Sequence, residues 1–95
     1  MDSKSSLHIS LMLAVADVPA AVAWYRKALG AIVLWDFGMV AGLEVGGAPF
    51  FLAQPEGNGW ENPAKLGITT CRVEVFCDDP DGFISRAVAA GANAP

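Results

Sequence analysis

The chain is short of the residue types that hold metal ions and bind nucleic acids. Its 95 residues include one histidine, two cysteines and six lysines or arginines, against ten aspartates or glutamates. With a net charge of −4 and basic residues scattered along the sequence, no basic patch is available to follow a phosphate backbone. No uncharged apolar run reaches the ~18 residues that would span a bilayer. These absences argue against a nucleic-acid partner and against a membrane protein.

Charged residues are also few, whereas apolar residues are abundant. Only 17% of the residues are charged and 54% are hydrophobic, a balance that excludes intrinsic disorder. The length fits one compact domain over residues 1–95. Residues 1–6 (MDSKSS) lack the apolar stretch of a secretory signal. We therefore expect a soluble, cytoplasmic protein.

The two cysteines, Cys71 and Cys77, both fall in the apolar-rich segment 68–77. If that segment is a strand, the ~3.3 Å rise per residue separates their Cα atoms by about 20 Å, beyond the ~7 Å that a disulfide tolerates. An intrachain disulfide is then excluded. The pattern instead predicts two small, buried hydrophobic side chains.

A pattern of strand, aspartate, helix and Gly-Ala occurs twice in the sequence. The first copy has Asp17 before the helix and Gly30 after it, and the second has Asp79 and Gly91. Aspartate is a favoured helix N-cap, and glycine commonly follows the last helical residue. A repeated unit that cannot bury its apolar face alone usually packs against its copy. The repeat therefore predicts two related modules, of which the second is truncated.

The hydrophobic periodicity predicts a βαβββ module at residues 7–54, with 55–66 as a long surface loop and 67–95 as the start of a second module. Gly46-Gly47 suits a tight hairpin turn between two of the strands. The predicted elements are strands at 7–15, 31–37, 40–45, 48–53 and 68–77, one helix after Asp17 and another from Pro80. The predicted class is α+β. A ferredoxin-like βαββαβ sheet is the alternative, and it would need one of the middle strands to be absent and a further strand at the end.

Five segments also carry a family resemblance: residues 8–17 (HISLMLAVAD), 24–31 (WYRKALGA), 49–53 (PFFLA), 73–80 (VEVFCDDP) and 89–92 (AAGA). Together they resemble the vicinal oxygen chelate superfamily, which includes glyoxalase I, extradiol dioxygenases, fosfomycin-resistance enzymes and bleomycin-resistance proteins. The resemblance implies βαβββ modules that each curl into a half-barrel and pair to enclose a ligand cleft. It is nearest to the bleomycin-resistance-like members that use no metal.

The same resemblance implies where metal ligands would lie. Metal-using members have a histidine on the first strand, a glutamate on the fourth and a second pair of ligands in the other module. Alignment on Asp17 places Ser10, Phe51 and Arg72 at the first three of these positions. A hydroxyl, a phenyl ring and a guanidinium do not form a transition-metal site. We therefore expect no cofactor, with His8, two residues from the first ligand position, as the alternative ligand for a divalent metal.

The residues that remain on the predicted cleft face suit an organic ligand, because rings supply contact area and one or two charges fix its orientation. The predicted ligand-binding residues are Ser10, Met12, Trp35, Phe51, Trp60, Arg72 and Glu74. Trp60, in the loop, would act as a lid. The competing interpretation is that these side chains fill a core between the sheet and a partner.

Three functions are compatible with this sequence. We favour a binding protein that sequesters an apolar or cationic small molecule without a metal and without catalytic residues. A metal-dependent lyase, isomerase or dioxygenase, with ligands completed across a dimer, is the first alternative. A truncated, self-associating module without catalytic activity is the second. We expect a homodimer, with or without exchanged modules, because unpaired sheet edges need to be covered.

Overall fold

The computed structural model describes residues 9–55, 59–68, 71 and 73–93. The elements within them are β1 (Leu11–Ala14), α1 (Val18–Leu29), β2 (Ile32–Asp36), β3 (Val40–Val45), β4 (Ala48–Ala53), α2 (Pro63–Leu66) and α3 (Pro80–Ala89). None of these helices is long and apolar enough to cross a bilayer. The order confirms the predicted α+β class and the βαβββ module.

The four strands form one mixed sheet in the order β1-β4-β3-β2. β1 runs parallel to β4, and the other neighbours are antiparallel. The turn between β3 and β4 is Gly46-Gly47, whose φ angles of 57° and 81° are left-handed and cost little only for glycine. This turn sets Val45 opposite Ala48 and so fixes the register of the central pair.

Helix α1 covers one face of the sheet. Its first turn is capped by Asp17, whose Oδ1 accepts a hydrogen bond from the Ala20 N–H at 3.0 Å. The buried core between helix and sheet consists of Val18, Val22, Ala31, Ala41, Leu43 and Leu52. Helix α3 packs on α1 rather than on the sheet. We call the sheet face opposite α1 the open face.

The second repeat differs from the prediction. The strand expected at 68–77 is wrong for the residues of that segment that are described, because residues 68, 71 and 73–77 pair with no strand. Its apolar side chains are exposed, Phe76 to 89%. Alternating apolar residues make a strand only where a neighbouring strand supplies the hydrogen bonds. The sheet has β1 at one edge, and the described residues of this segment do not pair with it.

Two smaller predictions in this half are also wrong. Cys71 and Cys77 are exposed rather than buried, because the segment that carries them is not packed into a sheet. The predicted loop 55–66 contains the short helix α2. Its N-cap is Asn62, which is buried and accepts a hydrogen bond from the Lys65 N–H at 2.9 Å.

Candidate functional site

Four residues form a row across the open face. Met12 in β1 lies opposite Phe51 in β4, Phe51 lies opposite Gly42 in β3, and Gly42 lies opposite Trp35 in β2. Successive side chains of a strand point to opposite faces, and the residues flanking Gly42 are buried under α1. The row therefore lies on the open face, and it brings together three of the predicted site residues.

The rings on this face stack on one another. The Trp35 and Phe51 ring centroids are 5.6 Å apart with an interplanar angle of 26°. Phe37 lies 5.2 Å from Trp35 at 31° and is 76% exposed. We call Phe37, Trp35 and Phe51 the aromatic platform. Offset stacks of this kind contribute roughly 0.5–1.5 kcal/mol beyond the area that they bury.

A glycine allows the platform to lie close to the sheet. A Cβ atom at Gly42 would stand 2.6 Å from Cε2 and Nε1 of Trp35. Real Cβ atoms do not approach other atoms so closely, so any other residue would displace the indole. The sequence-based prediction missed Gly42, because a single glycine in a strand gives no sign of what lies over it.

A bulge in β2 also helps to place the tryptophan. Val33 lies opposite Leu43 on the α1 side, and Trp35 lies opposite Gly42 on the open face, with a register shift between them. Strict alternation would put both side chains on the same face. The extra residue in the bulged strand reverses the alternation and directs Trp35 to the open face.

One carboxylate accompanies the platform. Glu44 is two residues beyond Gly42 on the same face of β3, which places their Cα atoms about 7 Å apart. Of the residues within the strands, it is the one Asp, Glu, Lys or Arg side chain on the open face. Aromatic faces with a nearby carboxylate attract organic cations.

The described residues of the open face do not fit a metal ion. Ser10 is exposed ahead of β1, and Phe51 belongs to the platform, so neither of these two aligned positions offers a strong donor. No group of three or more His, Cys, Asp or Glu that could hold a metal exists among the residues described. His8 and Arg72, the alternative ligand and the third aligned position, lie outside the described residues.

Two other predicted residues, Glu74 and Trp60, are not part of the row on the open face. Glu74 is exposed and lines a cavity on the α1 side of the sheet. Trp60 is half-buried in the segment that precedes α2. Of the seven predicted ligand residues, the structure thus brings together Met12, Trp35 and Phe51.

Two cavities of about 430 and 530 Å³ lie on the α1 side of the sheet and share Leu13, Tyr25 and Val73 in their walls. The Tyr25 ring meets Phe50 edge to face at 5.2 Å. Burial raises the pKa of the Tyr25 phenol, and the nearby Cys71 thiol raises it further. Tyr25 is therefore a neutral hydrogen-bonding group at physiological pH.

Comparison with known proteins identifies relatives of this fold. The family model described as Glyoxalase/Bleomycin resistance protein/Dioxygenase superfamily matches residues 7–91. A search of curated protein sequences returned no significant match.

Among solved structures, a gene product of Arabidopsis thaliana is similar with 24% identity and a TM-score of 0.78, over 92% of this chain and 75% of that one. TioX from Micromonospora sp. ML1 is 22% identical, with a TM-score of 0.63 over 93% of this chain and 75% of the TioX chain. A third similar structure is a mutant of the fosfomycin resistance protein FosX from Listeria monocytogenes, in complex with Mn(II) and 1S,2S-dihydroxypropylphosphonic acid. It is 15% identical, with a TM-score of 0.63 over 90% of this chain and 65% of the FosX chain. Identities this low show a shared fold alone.

Proposed function

Because this chain belongs to the glyoxalase/bleomycin resistance protein/dioxygenase superfamily, we propose that it binds a planar apolar or cationic small molecule on the aromatic platform and sequesters it without a metal ion. The observation that supports this most is the stack of Trp35 on Phe51, held against Gly42 on a face that the described part of the chain leaves open. Met12 adds a flexible apolar contact at the end of the row.

The energetics favour a flat ligand. A planar ring placed on the platform would remove apolar surface from water at about 25 cal/mol per Å² and add stacking interactions with the exposed rings. A positive group on the ligand would be attracted by the ring faces and by Glu44. An anionic group would be repelled by that carboxylate and by the net charge of −4.

The proposal includes a second copy of the chain that covers the open face. Met12, Ile32 and Phe37 are large apolar side chains on or beside that face, and they are exposed to 48%, 60% and 76%. Contiguous apolar surface of this kind usually marks a binding or association surface. With a second copy over it, the platform would become one wall of a cleft. The small-molecule complex of FosX supports ligand binding by this fold.

Isothermal titration calorimetry with proflavine, a planar aromatic cation, tests the binding. We expect Trp35→Leu to weaken binding about tenfold, because it removes the central ring. Trp24→Leu is the matched control, because Trp24 lies in α1 and contacts Tyr25 rather than the platform. Its affinity should stay within about twofold of the wild type, and added EDTA should change neither value. Equal losses in the two variants, or binding that requires a metal, would contradict the proposal.

Light scattering tests the second copy. The chain has a mass of 9.9 kDa, and we expect twice that mass at micromolar concentration. Phe37→Asp places a charge on the exposed rim of the platform and should shift the mass toward that of the monomer. A wild-type protein that is strictly monomeric would remove this part of the proposal.

A further inference from the structure

An apolar cavity of about 430 Å³ lies on the α1 side of the sheet, where the proposed function does not use it. Its walls come from four segments of the same chain, namely β1, α1, the β3–β4 hairpin and residues 73–76. The lining includes Leu11, Leu13, Tyr25, Leu29, Phe50 and Val75. Small-molecule sites usually have volumes of roughly 300–1,000 Å³ and walls of this composition. The cavity therefore has the size and the lining of a ligand site.

The polar groups of the cavity are few, and they define the chemistry of an occupant. Among the described residues that line it, Glu74 is the one Asp, Glu, Lys or Arg side chain, and Tyr25 contributes a phenol. The Tyr25 ring is fixed by its edge contact with Phe50 at 5.2 Å. A group bound here would meet one negative charge at the exposed end and apolar side chains elsewhere. Charge complementarity thus favours a single positive group on an apolar body.

The cavity also leaves apolar surface in contact with water. Val73 and Val75 line it and are 51% and 42% exposed. An occupant with an apolar body would bury these side chains against Leu13 and Tyr25 and gain the transfer free energy of that surface. The segment 73–76 would then be held to the rest of the domain through the ligand.

We propose that this cavity is a second ligand site, independent of the platform, for a small molecule with an apolar body and one positively charged group. The positive group pairs with Glu74, and the body packs among Tyr25, Leu13 and the side chains of residues 73–75. The site lies on the opposite face of the sheet from Trp35, so the two sites bind separately.

Titration of the full chain with phenylbutylammonium, phenylbutanol and phenylbutyrate, followed by amide chemical shifts at low ionic strength, tests this site. The three probes share one apolar body and differ in the charge of the head group. We expect the ammonium to bind about three- to fivefold tighter than the alcohol, as for an exposed ion pair, and the carboxylate to bind weakest. Glu74→Gln should abolish the preference for the ammonium over the alcohol. Asp81→Asn, which changes the net charge equally but lies outside the cavity, should keep it.

Two further variants separate this site from the platform. Val75→Trp fills the cavity from its exposed wall and should weaken the binding that the amide shifts of residues 73–76 report for all three probes, whereas Trp35→Leu should leave the binding at these residues unchanged. Circular dichroism checks that both variants fold. The proposal is overturned if ammonium and alcohol bind the wild type equally, if no probe binds at millimolar concentration, or if Trp35→Leu removes the binding while Val75→Trp does not. The last result would leave the platform proposal standing.

Discussion

In the first repeat, β1 is a paired strand and α1 contributes three buried residues, Val18, Val22 and Ala28. In the second repeat, residues 73–77 pair with no strand and α3 contributes no buried residue. The local helix signals are nevertheless the same, because Asp17 and Asp79 each accept a 3.0 Å hydrogen bond from the N–H three residues on. Helix capping is thus decided within a few residues, whereas a strand depends on a partner from elsewhere in the chain.

The contrast between the repeats extends to what holds them together. The first repeat is packed around Leu43 and Leu52, both fully buried. The second repeat is attached through α3, which packs on α1 and whose Arg86 Nε donates a 3.2 Å hydrogen bond to the Lys27 carbonyl near the end of α1. A cation and a donor at the C-terminal end of a helix are favourable, although at an exposed position they contribute little.

The largest expected difference between the repeats is in core substitutions. Leu52→Ala should lower the free energy of unfolding by about 2–5 kcal/mol, because it leaves a cavity under α1. Ile84→Ala on α3 removes a side chain that is 51% exposed and should cost less than about 1 kcal/mol. Urea denaturation followed by circular dichroism measures both. Similar losses would mean that α3 is as much a part of the core as β4 is.

The next prediction concerns the close approach of Trp35 to the sheet. Gly42→Ala should cost about 1–3 kcal/mol, because the new methyl group has to push the indole away. The control is the same change in a Trp35→Ala background, where the methyl group has room and the added cost should be close to zero. Denaturation of the four proteins gives the coupling. Additive losses would show that the indole does not lie over Gly42.

The two repeats and the contact of Trp35 with Gly42 show which features could be predicted from the sequence. The caps at Asp17 and Asp79 and the turn at Gly46-Gly47 are local, and the two longer helices, α1 and α3, and the hairpin were predicted correctly, whereas the short helix α2 was not. Residues 68–77 have a good strand pattern, but pairing is a non-local property that the pattern does not contain. The placement of Met12, Trp35 and Phe51 on one face was predicted from the strand pattern, and their binding role stays a prediction. The β2 bulge and the contact of Gly42 with Trp35 were not predicted, because they depend on how two strands pair.

A smaller effect is expected from the two N-caps. Asp17→Ala should lower global stability by about 1 kcal/mol, because α1 unfolds only with the core. Asp79→Ala removes the equivalent hydrogen bond, but it should mainly speed hydrogen exchange in residues 80–89 and leave the urea midpoint nearly unchanged. Equal shifts of the midpoint would contradict the difference between the repeats.

The smallest effect is a pH dependence at Tyr25. Its folded-state pKa is raised above the ordinary value of 10.0, mainly by burial and further by Cys71. Because the neutral phenol is favoured in the folded state, Tyr25 contributes to the free energy of unfolding fully below pH 10.0, and this contribution is lost as the pH rises through the folded-state pKa. Tyr25 is the chain's one tyrosine, so absorbance at alkaline pH reports it alone. If the free energy of unfolding of the wild type changes with pH above 10.0 no more than that of Tyr25→Phe, this prediction is contradicted.

The most direct test of the account is to locate a bound ligand by intermolecular nuclear Overhauser effects in the complex with proflavine. We predict contacts from the ligand ring protons to the Met12 methyl group and to the rings of Trp35 and Phe51. Contacts confined to Leu13, Phe50 and the other side chains on the α1 side of the sheet, with none to the platform, would contradict it.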